Sequence, residues 1–150
     1  MMPKIKSKKN SIFMKTIAFL IYPFNRRFMT NYWTTIFGTI YAPVSVDVSS
    51  PQDLKKHKNI IEHEKVHLND QKNHPILFPL SYVFPPIFLA YGRWRWERKA
   101  YLVSLSFYDN DKEKKMAIER IVDKLGGSEY FWTWPKSWIK KWFYKKLNLK

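Results

Sequence analysis

The chain has 150 residues, of which 45% are hydrophobic and 18% aromatic; this excludes disorder throughout and fits one compact domain with attached arms. Lys and Arg number 27 against 12 Asp and Glu, so the net charge of +15 favours phosphates, anionic membranes or acidic protein surfaces as partners. There is no cysteine, which excludes disulfides, thiolate ligands and cysteine nucleophiles. Any metal must therefore be held by histidine and carboxylate.

Residues 1–30 predict a basic and apolar N-terminal arm. The first ten residues are lysine-rich and predict a mobile tail. The apolar run 17–22 is short, is ended by Pro23, and precedes no small-residue cleavage site. It is therefore a poor match to a signal peptide, and we expect a buried or interfacial segment.

A β-rich segment follows the arm. Residues 34–41 are rich in β-forming residues, and valines alternate at positions 44, 46 and 48. This pattern predicts a short hairpin or two strands. Pro43 cannot donate a hydrogen bond to a ladder, which favours an edge position.

A helix is predicted from Ser50 to about Lys72. Ser50 is a typical N-cap, and Pro51 suits the first helical position. Pro75 disfavours the helical conformation at His74 and so ends the helix.

The stretch 75–92 carries no charged side chain, and its length is that at which a membrane span is considered. Four prolines interrupt it, at positions 75, 79, 85 and 86. We therefore expect a buried, kinked connection or an interaction surface rather than a span.

Two further helices are predicted in the second half. The first runs from near Phe88 to about Tyr108. The second begins at a cap formed by Asn110 and Glu113, and it ends at Gly126. The spacing of its apolar residues predicts which side chains are buried. They are Ala117, Ile118, Ile121, Val122 and Leu125.

The C-terminal segment, residues 128–150, is aromatic and basic. Its apolar residues recur at helical spacing, at positions 138, 139, 142 and 143, with lysines around them. This pattern has two interpretations: the segment forms a closing helix docked on the domain, or it contacts an anionic membrane or a nucleic acid.

The chemistry of the chain centres on His63, Glu64 and His67. Positions four apart share one face of a helix, so His63 and His67 can present two ring nitrogens to one metal ion. Glu64 lies beside that face and suits a base that acts on water without binding the metal. All three lie on the face that an amphipathic helix turns inward.

Glu97 is the expected third ligand. It lies in an otherwise apolar and aromatic stripe of the following helix, and a carboxylate facing a core must be paired, protonated or metal-bound. The alternative is an ion pair between Glu97 and Arg93, four residues earlier. Asp70 and His74 are competing ligands. The sequence thus predicts a zinc ion held by His63, His67 and Glu97, with Glu64 catalytic.

These residues resemble the zincin metallopeptidases, and among them the gluzincin type, in which a His-Glu-x-x-His helix is followed by a helix that supplies a glutamate. The likeness covers roughly residues 34–105, and the tract 63–71 is also similar to small metallopeptidase-like proteins encoded by bacteriophages. The resemblance implies a mostly helical α+β, zincin-like minimal domain over residues 31–127, with a short hairpin or edge strand before the motif helix.

The resemblance further implies a peptidase that cleaves peptide bonds by a zinc-bound water activated by Glu64. The edge strand would pair with an extended peptide. One departure is Tyr101, which stands where many gluzincins have an aspartate that orients a ligand. The oxyanion-stabilising group stays open among Tyr82, Tyr101 and His74.

Two other functions compete with the peptidase. The first is a structural or interaction protein on the same scaffold, for example a phage virion component, with partners bound through residues 75–92 and 130–147. The second is a basic nucleic-acid-binding module. We expect location in the cytoplasm or a phage particle rather than secretion or membrane anchoring.

Overall fold

The computed structural model describes the backbone of residues 3–83, 87–130 and 132–150, and their side chains except those of 82–90 and 129. Within these ranges the chain is mostly helical with one three-stranded sheet, which confirms the predicted mostly helical α+β class. It divides into two compact units, Met1–Pro75 and Ile76–Lys150.

The first unit contains the sheet. Its strands are β1 (Lys4–Ser7), β2 (Thr34–Ile36) and β3 (Thr39–Ala42), in the order β1-β3-β2. β2 and β3 form the predicted hairpin, whereas β1 runs parallel to β3. The valines at 44–48 form no strand, because β3 ends at Ala42 and the chain turns at Val46, whose N–H donates to the carbonyl of Pro43 at 3.1 Å.

The prediction of a mobile N-terminal tail is wrong for Lys4–Ser7. Lys4 and Lys6 are exposed, while Ile5 and Ser7, on the other face of β1, are half-buried. The lysines are tolerated because successive strand residues point to opposite faces. Composition alone could not reveal this strand, because its partner β3 is distant in the sequence.

Lys8 fixes the end of β1. Its side chain is fully buried, and Nζ donates to the carbonyls of Phe28 and Tyr32 at 2.7 Å each. Nζ also lies 3.6 Å from the centroid of the Phe28 ring. Charge-assisted hydrogen bonds of this kind offset the cost of burying an ammonium group.

Four α-helices accompany the sheet in the described part of the first unit: α1 (Ile12–Ile21), α2 (Phe28–Asn31), α3 (Pro51–Lys56) and α4 (Lys58–Asn73). Ser50 caps α3 as predicted, since its Oγ accepts from the N–H of Asp53 at 3.3 Å. The single helix expected here is instead interrupted at His57 (φ −101°, ψ 17°). No glycine or proline marks this break, which is why the pattern did not predict it.

The second unit contains α5 (Leu77–Val83), α6 (Ile87–Leu105), α7 (Asp111–Leu125) and α8 (Lys136–Lys146). Asn110 caps α7 as predicted, its Oδ1 accepting from the N–H of Glu113 at 2.9 Å. All five apolar residues expected to be buried on α7 belong to the core. None of the helices in the described ranges is long and apolar enough to cross a membrane.

Helix α8 closes this core. Ile139 and Phe143 are fully buried against it, and the Trp142 ring lies edge-on to Trp94 at 5.4 Å between centroids. Trp138 points outward and is 65% exposed. The docked-helix interpretation is therefore confirmed for the inner face of α8.

The uncharged stretch 75–92 is only partly described. Residues 77–83 form α5 and α6 begins at Ile87, whereas residues 84–86 lie outside the described ranges. Arg93 of α6 binds the end of α5, donating to the Ser81 carbonyl from Nε at 3.2 Å and from Nη2 at 2.8 Å. The interaction surface expected at 75–92 stays a prediction.

Candidate metal centre

His63 and His67 lie one helical turn apart on α4 and are both buried, with 7% and 5% of their surface exposed. Their Nε2 atoms are 3.1 Å apart. Two ligand atoms bound to one tetrahedral zinc at about 2.0–2.1 Å lie roughly 3.3 Å apart. The two ring nitrogens therefore already have close to the spacing that a shared metal ion requires.

Glu97 lies on α6 in the apolar stripe that the sequence predicted. It is 2% exposed, and Trp94, Tyr101 and Leu105 of the same stripe are also buried. The side chain of Ala90, at the start of the stripe, lies outside the described residues. A carboxylate among these neighbours is costly to bury unless a cation or hydrogen-bond donor meets it.

The three predicted ligands form a group that could hold a metal ion. One ligand atom from each of His63, His67 and Glu97 lies within 4.8 Å of the other two, and all three residues are buried. Two imidazole nitrogens and one carboxylate oxygen form a donor set that zinc accepts at catalytic sites, where a fourth position stays open. The same set also binds iron(II). The residues present thus fit a divalent transition metal.

Glu64 lies beside this group and is not part of it. It is 6% exposed, and its Oε2 accepts a hydrogen bond of 2.6 Å from the Thr35 hydroxyl on β2. Sequence reasoning missed Thr35. The only available signal was its position in the β-rich segment before the motif helix, since the two residues are far apart in the chain.

A second contact holds the hairpin along the same helix. The N–H of Gly38, at the hairpin turn, donates to Oε1 of Gln71 at 2.9 Å. Gln71 lies two helical turns after Glu64, which corresponds to about 10 Å along the axis. Thr35 and Gly38 therefore fix the hairpin at two points of α4, and the first of them is the candidate catalytic glutamate.

Asp70 and His74 were alternative ligands, and Arg93 was an alternative partner of Glu97. Asp70 is buried on α4 and His74 is exposed just beyond its end; neither belongs to a metal-binding group among the described residues. Arg93, the alternative partner of Glu97, directs three N–H groups at the carbonyls of Ser81 and Tyr130. An ion pair between Arg93 and Glu97 stays a prediction.

The oxyanion-stabilising group stays open. Tyr101 is buried and His74 exposed, while the side chain of Tyr82 lies outside the described residues.

Comparisons of the chain with protein-family models, with curated proteins and with solved structures give no match.

Proposed function

We propose that this protein is a zinc-dependent metallohydrolase, a peptidase of the gluzincin type built on a zincin-like minimal domain. One observation carries the proposal: His63, His67 and Glu97 offer three ligand atoms within 4.8 Å of one another. The carboxylate of Glu64 lies beside this group and is held by Thr35 instead. A ligand set next to a separate, buried carboxylate is the arrangement that metal-assisted hydrolysis requires.

In this proposal each ligand has a defined atom and role. His63 and His67 bind the ion through Nε2. Glu97 binds it through a carboxylate oxygen, and the negative charge of Glu97 partly neutralises the charge of the ion. When bound, zinc makes water more acidic and polarises a carbonyl oxygen. Three protein ligands favour a catalytic over a structural role, because structural zinc is usually enclosed by four.

Glu64 is the proposed general base. Its Oε2 accepts the hydrogen bond from Thr35, so Oε1 is the oxygen that takes a proton from the attacking water. The same oxygen then returns the proton to the leaving nitrogen. Thr35 restricts the rotation of the carboxylate and thereby keeps Oε1 oriented throughout the cycle.

A peptide is the substrate class that the surroundings favour. β2 is at one edge of the sheet, and its Thr35 contacts the proposed base directly. An extended peptide can add to such an edge through backbone hydrogen bonds, which places its carbonyl groups at regular intervals along the strand. This supports peptide hydrolysis over hydrolysis of a small molecule without a backbone.

The proposal is tested by metal analysis of the purified protein. We expect roughly one zinc per chain in the wild type and little in His63→Ala, because two ligands bind weakly. His74→Ala is the matched control and should keep its zinc. Iron in place of zinc would contradict the assignment of the metal.

Glu64→Gln separates the enzyme from a metal-stabilised scaffold. The variant should retain zinc, because Glu64 is not a ligand, yet lose peptide hydrolysis by a factor of about 10² or more. The readout is cleavage of a fluorogenic peptide library. Absence of hydrolysis by a zinc-loaded wild type would favour the non-catalytic structural protein.

A further inference from the structure

Helix α1 carries large apolar residues on its outward face as well as on its inward one. Met14 is fully buried, and it anchors the inner face. On the opposite face Ile12, Phe19 and Leu20 are exposed by 82%, 81% and 68%. The outward face of a helix in a water-soluble protein is normally polar.

The other outward residues of α1 add little polarity. Lys15 is the only charged residue of the helix. The hydroxyl of Thr16 donates to the carbonyl of Ile12 at 3.2 Å, so it is turned toward its own helix. The exposed side of α1 is therefore a nearly continuous apolar stripe.

The hairpin turn extends this stripe. Phe37 is 77% exposed, and its ring centroid is 5.9 Å from that of Phe13 on α1. Its φ of +46° lies in the left-handed region, which bulky residues rarely adopt and where a hairpin turn favours Asn or Gly. An exposed aromatic ring at a position with positive φ points to a role for the ring itself.

These residues, together with Tyr22, define the N-terminal apolar patch. Tyr22 follows the last residue of α1 and is 57% exposed. The members of the patch share large apolar side chains on the surface of the first unit. They are Ile12, Phe13, Phe19, Leu20, Tyr22 and Phe37.

Positive charge surrounds the patch in the sequence. Residues 1–46 contain seven Lys and Arg and no Asp or Glu. All of these basic residues except the buried Lys8 are exposed. The guanidinium of Arg26 lies 5.7 Å from the centroid of the Tyr22 ring, where it can face a headgroup while the ring enters the apolar layer.

We propose that the N-terminal apolar patch binds the surface of an anionic lipid bilayer. A helix lying in the interface buries its apolar face among the acyl chains, while Lys and Arg attract the headgroups. A nucleic acid is disfavoured as the occupant, because Ile12 and Leu20 contribute nothing to phosphate binding. The inference is independent of the metal centre.

The test is cosedimentation of the full-length protein with vesicles. Vesicles of phosphatidylcholine and phosphatidylglycerol should bind the protein, and those of phosphatidylcholine alone should bind it much more weakly. The double variant Phe19→Ser, Leu20→Ser should lower the partition coefficient at least about tenfold. Because both side chains are exposed, its circular dichroism should match the wild type.

Two further variants keep the test decisive. Lys15→Glu changes the surface charge by two and should weaken binding to anionic vesicles by roughly 30-fold. Trp138→Ser removes an aromatic residue of α8 that is 65% exposed, and this variant should bind as the wild type does. Failure of the wild type to bind anionic vesicles, equal binding by the double variant, or loss of binding in Trp138→Ser would each overturn the proposal.

Discussion

Thr35 on β2 donates a hydrogen bond of 2.6 Å to Oε2 of Glu64 on α4. The contact joins an edge strand to the candidate general base. It gives the β-hairpin a role in the chemistry of the proposed site, because the strand that would meet a peptide also orients the carboxylate that would act on it.

We expect Thr35→Val to slow peptide hydrolysis by about tenfold while zinc content stays the same, because losing one orienting hydrogen bond costs on the order of 1.4 kcal/mol. The loss should appear in kcat rather than KM. Thr35→Ser keeps the hydroxyl and should restore most of the rate. In the Glu64→Gln background Thr35→Val should have no further effect, whereas an additive loss would show that Thr35 does not act through Glu64.

Removing the proposed zinc ion should destabilise the protein, since His63, His67 and Glu97 are all buried. A chelator should lower the melting temperature, and zinc at about 100 times its Kd should restore about 2.7 kcal/mol of stability. Differential scanning calorimetry measures both changes. The Glu64→Gln protein should respond in the same way and His67→Ala should not; a response of equal size in His67→Ala would refute the ligand set.

Lys8→Met should destabilise the first unit by about 3 kcal/mol, because two charge-assisted hydrogen bonds to the carbonyls of Phe28 and Tyr32 are lost. Lys9→Met is the matched control, since Lys9 is exposed, and it should change stability by less than about 0.5 kcal/mol. Urea unfolding measures the difference. Equal midpoints for the two variants would mean that Lys8 does not anchor β1.

Asn110→Ala should cost about 1 kcal/mol, because the cap of α7 loses its acceptor for the Glu113 N–H. The corresponding fall in melting temperature is about 2–4 °C. Lys112→Ala, an exposed change at the second residue of the same helix, should leave the melting temperature unchanged within experimental error. A Lys112→Ala effect as large as that of Asn110→Ala would contradict the capping argument.

Features set by near neighbours in the chain were predictable. The cap of α7 and its five buried residues follow from a local hydrogen bond and a 3.6-residue period, both of which are visible in the sequence. The hairpin follows from the β-forming residues around its turn. The pairing of two histidines on one helix face is local in the same sense.

Features set by distant neighbours were not predictable. β1 carries two lysines in four residues, a composition that strands avoid, and only its pairing with β3 explains it. The Thr35 contact with Glu64 and the hydrogen bonds of Lys8 likewise join residues that are at least 20 positions apart. Glu97 was inferred because a carboxylate in an otherwise apolar stripe of the sequence is conspicuous even without knowledge of its neighbours in space.

The parallel pairing of β1 with β3 has a consequence for synthesis. Lys4 pairs with Thr39 and Ser7 with Ala42, so each residue of β1 has a partner that is synthesised 35 positions later. Non-local pairing of this kind forms late because the intervening chain must first be ordered. Until then the lysines of β1 keep the nascent segment soluble, and the sheet that supports Glu64 is completed only once the hairpin has emerged.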